Sequence, residues 1–172
     1  MTPSEDAYLL VRGLRAVRRF RPDPLPEQVL ERILQAGRWT GSAKNSQPWA
    51  LVVVGEAEQR ERLAGCGSFS GPLQAAPLVV ALVRTPKGYE FDIGRLAQNL
   101  MLGAAALGVA SCPVTLHDED CARQVLGVPP GHGCRFAVAF GYPEDDRGRP
   151  GTRVARGRRP LEEVVHQERW QS

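Results

Sequence analysis

The chain has 172 residues, of which 42% are hydrophobic and 24% are charged. These proportions are typical of a folded protein and exclude a disordered or fibrous chain, and the length predicts a single domain over residues 1–172. The net charge of +3 is mild, which disfavours nucleic acid as a partner. No apolar stretch predicts a membrane span and the N-terminus does not predict a signal peptide, so we expect a cytoplasmic protein.

Apolar periodicity and turn residues predict alternating helices and strands in the first half of the chain. Ser4 can cap the first helix, and Pro26 suits the first position of the second. Strands are predicted where β-branched residues cluster. The predicted elements, in chain order, are helix 4–14, helix 26–37, strand 50–54, helix 56–64, loop 65–72 and strand 77–83.

The segment 91–108 predicts a helix that is apolar nearly all round, with its polar residues gathered in the N-terminal half. Such a helix must be covered on every side. A subunit interface is a natural cover in so small a domain, and we expect Leu100 and Leu102 to lie in it.

The remaining elements are strand 109–114, helix 118–126 ended by Gly127, strand 136–140 and a short helix at 160–165. By itself, this alternation suggests a doubly wound α/β sheet. The dinucleotide-binding glycine motif is absent, because Gly65 and Gly67 follow a helix and Gly71 comes one residue too late.

The four cysteines form no C-x-x-C pair, and no histidine lies near them at ligand spacing, so we expect no metal site. Cys112 and Cys134 lie in apolar runs that are typical of small buried residues. We therefore expect a reduced intracellular protein.

Of the 22 basic residues, 20 are arginines, and they cluster at 12–21 and at 147–159. Guanidinium groups bind phosphate and carboxylate through paired hydrogen bonds, so the two clusters could converge on an anionic ligand. Solvated surfaces and a nucleic-acid patch are the alternatives; the latter would lose affinity steeply with salt.

Four segments, in this order along the chain, carry a resemblance to a known family. They are Arg15-Ala16-Val17-Arg18-Arg19-Phe20, Ser42-Ala43-Lys44-Asn45-Ser46-Gln47-Pro48-Trp49, Asp92 with Gln98-Asn99-Leu100-Met101-Leu102, and Gly141-Tyr142-Pro143. Together they resemble the FMN-dependent nitroreductases. The resemblance runs from about Arg12 to Trp170, and its most specific part is Asn45-Ser46-Gln47-Pro48-Trp49.

The resemblance implies a phosphate site in which basic residues from both ends of the chain meet. Arg15 and Arg18, three apart at the end of a helix, would share one face, with Ala16 between them. Arg156 and Arg158 alternate along an extended segment and would close the site from the other side.

Ser42 and Asn45 occupy positions that contact the flavin of the opposite subunit in that family, and Gln47 is a further polar contact. A hydrogen-bonded loop without a ligand is the alternative. Backbone near Val114 and Thr115 passes the reactive flavin ring in the family, so we expect these residues in the site. We expect His117 to be a surface residue, Asp92 a helix cap and Trp49 a core residue.

The sequence departs from the family pattern at three positions. Leu14, Ala16 and Gly41 stand where arginine, serine and proline, respectively, are common. Each difference weakens one contact of the expected site. The stretch between Trp49 and Asp92 is also short, so we expect it to lack the insertions that cover the substrate pocket of larger members.

The resemblance implies an α+β three-layer sandwich with a mixed, mainly antiparallel sheet, assembled as an intertwined homodimer. It also implies hydride transfer from NADH or NADPH to FMN, and then to a nitroaromatic, quinone, enone or similar acceptor in a ping-pong mechanism. No catalytic side chain is required, because the flavin carries the chemistry. The alternative is a flavin-binding accessory or specialised flavin-handling module that does not turn over nicotinamide.

Overall fold

A four-stranded sheet forms the centre of the computed structural model, which describes residues 5–145 and 158–170. The strands are Trp49–Val54 (β1), Leu78–Arg84 (β2), Ala110–Thr115 (β3) and Gly133–Gly141 (β4). Their order is β1-β2-β4-β3 and every neighbouring pair is antiparallel, so β1 and β3 form the two edges. The central strand β2 is buried on both faces, which explains its continuous apolar run.

Helices cover both faces of this sheet. They are Glu5–Gly13 (α1), Glu27–Arg38 (α2), Ala57–Ala64 (α3), Gly71–Ala75 (α4), Glu90–Ala106 (α5) and Glu119–Leu126 (α6), with 3-10 turns at Ala43–Asn45 and Leu161–Glu163. One core cluster lies between the sheet and α3, α4 and α6, and a second lies between the sheet, α5 and α2. This arrangement confirms the three-layer α+β sandwich. The doubly wound interpretation is wrong, because alternation along the sequence does not record strand direction.

Local chemistry explains most element boundaries. The Asp118 side chain accepts a hydrogen bond from the Cys121 amide at 2.9 Å and caps α6, and Gly127 ends that helix with a left-handed φ of 66°. The predicted loop 65–72 is wrong at its end, because α4 begins at Gly71 with Pro72 in its first turn, where proline is tolerated. The last helix is only a 3-10 turn.

Helices α2 and α5 pack closely because two glycines face the opposite helix. A Cβ atom at Gly37 would lie 2.6 Å from Leu100 Cδ2, and one at Gly103 would lie 2.5 Å from Ala36 Cβ. Leu100 is fully buried in this contact, so its expected place in a subunit interface is wrong. Leu102 is only partly buried within the chain. The apolar character of α5 is therefore explained mainly by burial inside one chain.

Two of the four cysteines are joined. Cys66 and Cys121 form a disulfide with a Cα–Cα distance of 5.5 Å, although they are 55 residues apart in sequence. The expectation that all thiols are reduced is wrong for this pair, because packing of α3 against α6 brings together cysteines whose spacing suggests no partnership. Cys112 and Cys134 are free and buried, as predicted. In the part of the chain that the structure describes, no helix is long and apolar enough to cross a membrane.

The α2–α5 contact predicts opposite effects for the same substitution at two glycines of α5. Gly103→Ala should lower the free energy of unfolding by about 1–3 kcal/mol, because the new methyl group collides with Ala36. Gly94→Ala, where no atom lies within 4 Å of the added methyl group, should raise it by up to about 1 kcal/mol through helix propensity. Urea unfolding at one protein concentration measures both, and equal shifts would contradict the packing described here.

Candidate functional site

The segment after α1 is fixed to the sheet by backbone pairing and by one buried aromatic side chain. The Val17 amide donates to the Ser111 carbonyl at 2.9 Å, next to a parallel bridge between Ala16 and Ser111. Phe20 is 8% exposed and forms an antiparallel bridge with Pro143. A Cβ atom at Gly141 would lie 2.7 Å from Pro77 Cδ and 3.0 Å from Phe20 Cδ1, so this position requires glycine. The Phe20 and Gly-Tyr-Pro motifs therefore interlock.

This anchored segment and the chain beyond β4 form a cleft of about 300 Å³. It is lined by Arg15, Ala16, Val17, Arg18, Arg19, Pro143, Glu144 and Asp145. Three arginines and two acidic residues give the lining a small positive charge. The acidic residues would oppose an anion, but the Glu144 carboxylate lies 4.0 Å from the Arg19 guanidinium and is partly neutralised by it.

The two arginines predicted for a phosphate site both line the cleft, but for a different reason from the one expected. Helix α1 ends at Gly13, so Arg15 and Arg18 lie on non-helical chain, and the prediction of one helical face is wrong. Arg15 donates from Nη1 to the carbonyls of Arg12 and Leu14, at 2.9 Å and 2.6 Å, which orients its guanidinium.

The second predicted basic pair, Arg156 and Arg158, lies only partly within the described residues. Arg158 is exposed and is absent from the lining of the cleft. Arg156 lies outside the described residues. The convergence of both ends of the chain on one site therefore stays a prediction.

Strand β3 has an open edge that offers backbone groups to a ligand. The Leu116 amide donates to the Arg135 carbonyl of β4, and antiparallel pairing alternates, so the Val114 amide also faces β4. The Thr115 amide consequently faces the outer edge. Pro113 also occupies an outward position. Its lack of an N–H therefore costs no hydrogen bond to β4. Of the two residues predicted at the ring site, Thr115 is thus the one with an available N–H.

The loop after α3, which the sequence analysis had left without a role, lies beside the end of β3. A Cβ atom at Gly67 would lie 2.8 Å from the Thr115 carbonyl oxygen, and the Ser68 amide donates to His117 Nδ1 at 3.2 Å. The Phe69 ring is 84% exposed and meets the His117 imidazole edge-on, with 6.3 Å between centroids. Gly67 is the residue whose type indicates this close approach to β3, although its spacing from Gly65 and Gly71 suggests a comparison with the dinucleotide motif first.

The third predicted group lies on the loop Thr40–Pro48, which enters β1. Ser42 Oγ accepts a hydrogen bond from the Gln47 amide at 2.9 Å, and Gln47 Nε2 donates to the Asn45 carbonyl at 3.4 Å. Asn45 and Gln47 are exposed and have left-handed φ angles of 52° and 47°. Asparagine tolerates that conformation whereas glutamine disfavours it, and the two hydrogen bonds within the loop help to hold it.

The strand order separates this loop from β3. The loop and Thr115 lie at the same end of the strands, but β1 and β3 are opposite edges with two strands between them. At about 4.8 Å per strand, that separation is roughly 14 Å. A single chain therefore does not bring Ser42, Asn45 and Gln47 together with Thr115 or with the arginine cleft.

The free cysteines do not provide a nucleophile at neutral pH. Burial raises the pKa of the Cys112 thiol, while the positive charge of Arg18 acts in the opposite direction. Burial and the nearby Glu119 carboxylate raise the pKa of Cys134 to about 11. Both groups are thiols at pH 7, which is the unreactive form.

The sequence is similar to known proteins over most of its length. The sequence profile of the nitroreductase family matches residues 11–66 and 71–142, about three quarters of the chain. A nitroreductase from Mycolicibacterium smegmatis is 29% identical, and the alignment covers 89% of each protein.

Solved structures show the same fold. An FMN-dependent nitroreductase from Clostridium difficile superposes with a TM-score of 0.83 at 19% identity, covering 95% of this chain and 99% of that one. The NADPH:FMN oxidoreductase of Vibrio harveyi, in a complex with NAD+, superposes with a TM-score of 0.85 at 20% identity, covering 98% of this chain and 78% of that one. At these identities the two structures establish the fold alone.

Proposed function

Because the chain belongs to the nitroreductase family, we propose that it is an FMN-dependent oxidoreductase that takes hydride from NADH or NADPH. One observation carries this proposal: the arginine cleft adjoins the first half of β3, and the outward Thr115 amide lies at the other end of the same strand. A flavin mononucleotide has the matching form, with an anionic phosphate and a hydrogen-bonding ring at the two ends of its ribityl chain.

The residues present fit that cofactor. Guanidinium groups are suited to a phosphate near the cleft, and a backbone N–H is suited to an acceptor on the ring edge. Ser111, which forms the bridge with Ala16 beside the cleft, has a buried Oγ atom without a hydrogen-bond partner among the described residues. Bound FMN supplies the hydride chemistry, and the chain contributes binding, orientation and electrostatics.

We assign the binding roles as follows. Arg15, Arg18 and the backbone at Ala16 hold the phosphate end, and the Thr115 amide faces the ring. Val114 supports the ring site through its pairing with β4. We keep Arg156 and Arg158 as a second basic pair at the phosphate.

The separation of β1 from β3 supports a homodimer with its flavins at the interface. Ser42, Asn45 and Gln47 would then contact the flavin held by the partner subunit. Exposed apolar side chains remain available for such an interface on α1 and α5, two helices that contact each other. They include Tyr8, Leu9, Val11 and Phe91, which are 59%, 46%, 57% and 75% exposed.

We propose that electron-poor small molecules such as nitroaromatics, quinones and enones accept the hydride in a ping-pong cycle, and that the whole chain 1–172 forms one FMN-binding domain in the cytoplasm. No described side-chain cluster forms a nucleophile with its base, which suits chemistry carried by the cofactor.

Anaerobic addition of NADH or NADPH to the FMN-loaded protein should bleach the visible absorption of the flavin within seconds. Adding a nitroaromatic or a quinone should then restore the colour. Protein that stays yellow with both nicotinamides would contradict the enzyme and favour a flavin-binding module without nicotinamide turnover.

Replacing Arg15 and Arg18 together by alanine should weaken FMN binding on the order of a thousandfold, because hydrogen bonds to charged groups contribute about 2 kcal/mol each. Flavin fluorescence titration of the apoprotein measures the dissociation constant. A matched control, Arg32→Ala with Arg38→Ala on α2, removes the same charge and should leave binding unchanged. Equal affinity in both double variants would refute the phosphate assignment.

Leu102→Glu should yield a monomer that has lost its flavin, because a carboxylate would be buried in the subunit interface. Sedimentation and the visible spectrum report the two losses, and circular dichroism checks the fold. Gln124→Glu, on the exposed side of α6, should change none of them. A folded Leu102→Glu monomer that retains FMN would show that the site is not shared between subunits.

A further inference from the structure

The loop Thr40–Pro48 holds an unfavourable backbone conformation without a glycine at the strained positions. Lys44 and Gln47 have φ angles of 54° and 47°, in the left-handed region that L-residues disfavour, while Asn45, at 52°, is of a type that tolerates it. Within one chain the side chains from 43 to 47 are all exposed, so burial against the rest of that chain does not compensate this cost. The Gln47 amide and side chain donate to Ser42 Oγ and to the Asn45 carbonyl within the loop, and contacts from elsewhere in the fold add to these hydrogen bonds.

Two side chains of α5 supply such contacts at the start of the loop. Asn99 Nδ2 donates to Thr40 Oγ1 at 2.9 Å, and Arg95 Nη1 donates to the Gly41 carbonyl at 2.7 Å. Thr40 is only 3% exposed, so loss of its partner would leave a buried polar group unsatisfied. These are long-range contacts, over 59 and 54 residues of sequence.

Arg95 is itself held in place. Its Nη1 lies 3.9 Å from the Asp92 carboxylate, which is buried, and its guanidinium lies 5.7 Å from the centre of the Phe91 ring. A Cβ atom at Gly41 would lie 3.0 Å from Arg95 Nη2, so the guanidinium lies tightly against the loop backbone. The polar N-terminal half of α5 therefore contacts the start of the loop and supports it.

We infer that Thr40, Arg95 and Asn99 are positioning residues that hold Ser42, Asn45 and Gln47 in their ligand-binding arrangement. The cofactor part of this inference rests on the proposed function, while the anchoring of the loop does not. The polar N-terminal half of an otherwise apolar helix acts on the flavin through the loop, not by direct contact.

The two lysines of the chain provide a direct test of loop order. Lys44 lies in the loop, and Lys87 lies in the turn between β2 and α5, so a lysine-specific protease has one site in the loop and one internal reference site. In apoprotein, Thr40→Val and Asn99→Leu should each raise the cleavage rate at Lys44 relative to Lys87 by about tenfold. Thr40→Ser, which keeps the hydroxyl group, should restore the wild-type ratio.

FMN titration of the same proteins gives the second readout. Thr40→Val and Asn99→Leu should weaken FMN binding by about tenfold, which corresponds to 1.4 kcal/mol, with Thr40→Ser close to wild type. Arg95→Met should also raise the cleavage ratio and weaken FMN binding. Its matched control, Arg32→Met at an exposed position of α2, should change neither readout. If a buried variant fails to fold, the surface pair Arg95→Met and Arg32→Met still decides the outcome.

Unchanged cleavage ratios in folded variants would overturn the anchoring role. Faster cleavage at Lys44 with unchanged FMN affinity would overturn the positioning role, because the loop would then be loosened without consequence for the ligand. The wild-type protein could bind no FMN while the Thr40→Val variant still showed a higher cleavage ratio than wild type. In that case the proposed function would fail and the anchoring role would stand.

Discussion

The contact between Phe20 and the end of β4 is the constraint on which the candidate site depends. Phe20 can be buried there because Gly141 has no side chain, and the bridge to Pro143 fixes the direction in which the chain continues. With this residue in place, the preceding segment lies along the open edge of β3. The arginines therefore reach the cleft through backbone pairing on a sheet edge, not through a helix.

Sequence periodicity was sufficient to identify most of the strands and helices, because apolar patterns reflect the burial of each element. The three-layer α+β sandwich was implied only by the resemblance to the nitroreductases. The continuous apolar run of β2 and the stripe of α2 indicated their burial directly. Strand direction and cysteine pairing depend on which distant segments of the chain meet in the fold. Local sequence patterns therefore do not predict them. The short helix α4 was missed because Gly71 and Pro72 are typical of loops as well as of a first helical turn.

For the site, motif recognition identified positions but not conformations. Arg15, Arg18 and Ala16 do line one cleft, although helical spacing is not the cause. No sequence pattern distinguishes Thr115 from Val114, since the difference lies in the alternation of hydrogen bonds along β3. The left-handed backbone was equally hidden, because Asn45 is of a type common in turns of several conformations and Gln47 is of a type with no preference for this one.

Helix α5 connects these observations, because its two halves meet different requirements. The C-terminal half is apolar on nearly every side since the sheet and α2 both pack on it, with Gly103 allowing the close approach of α2. The N-terminal half lies at the end of the sheet where the loop enters β1, and there its polar side chains bind loop backbone and Thr40 instead of core. A helix that was apolar throughout could pack equally well but could not select one conformation of a strained, exposed loop. The uneven distribution of polar residues along α5 is therefore a consequence of supporting a core at one end and the loop Thr40–Pro48 at the other.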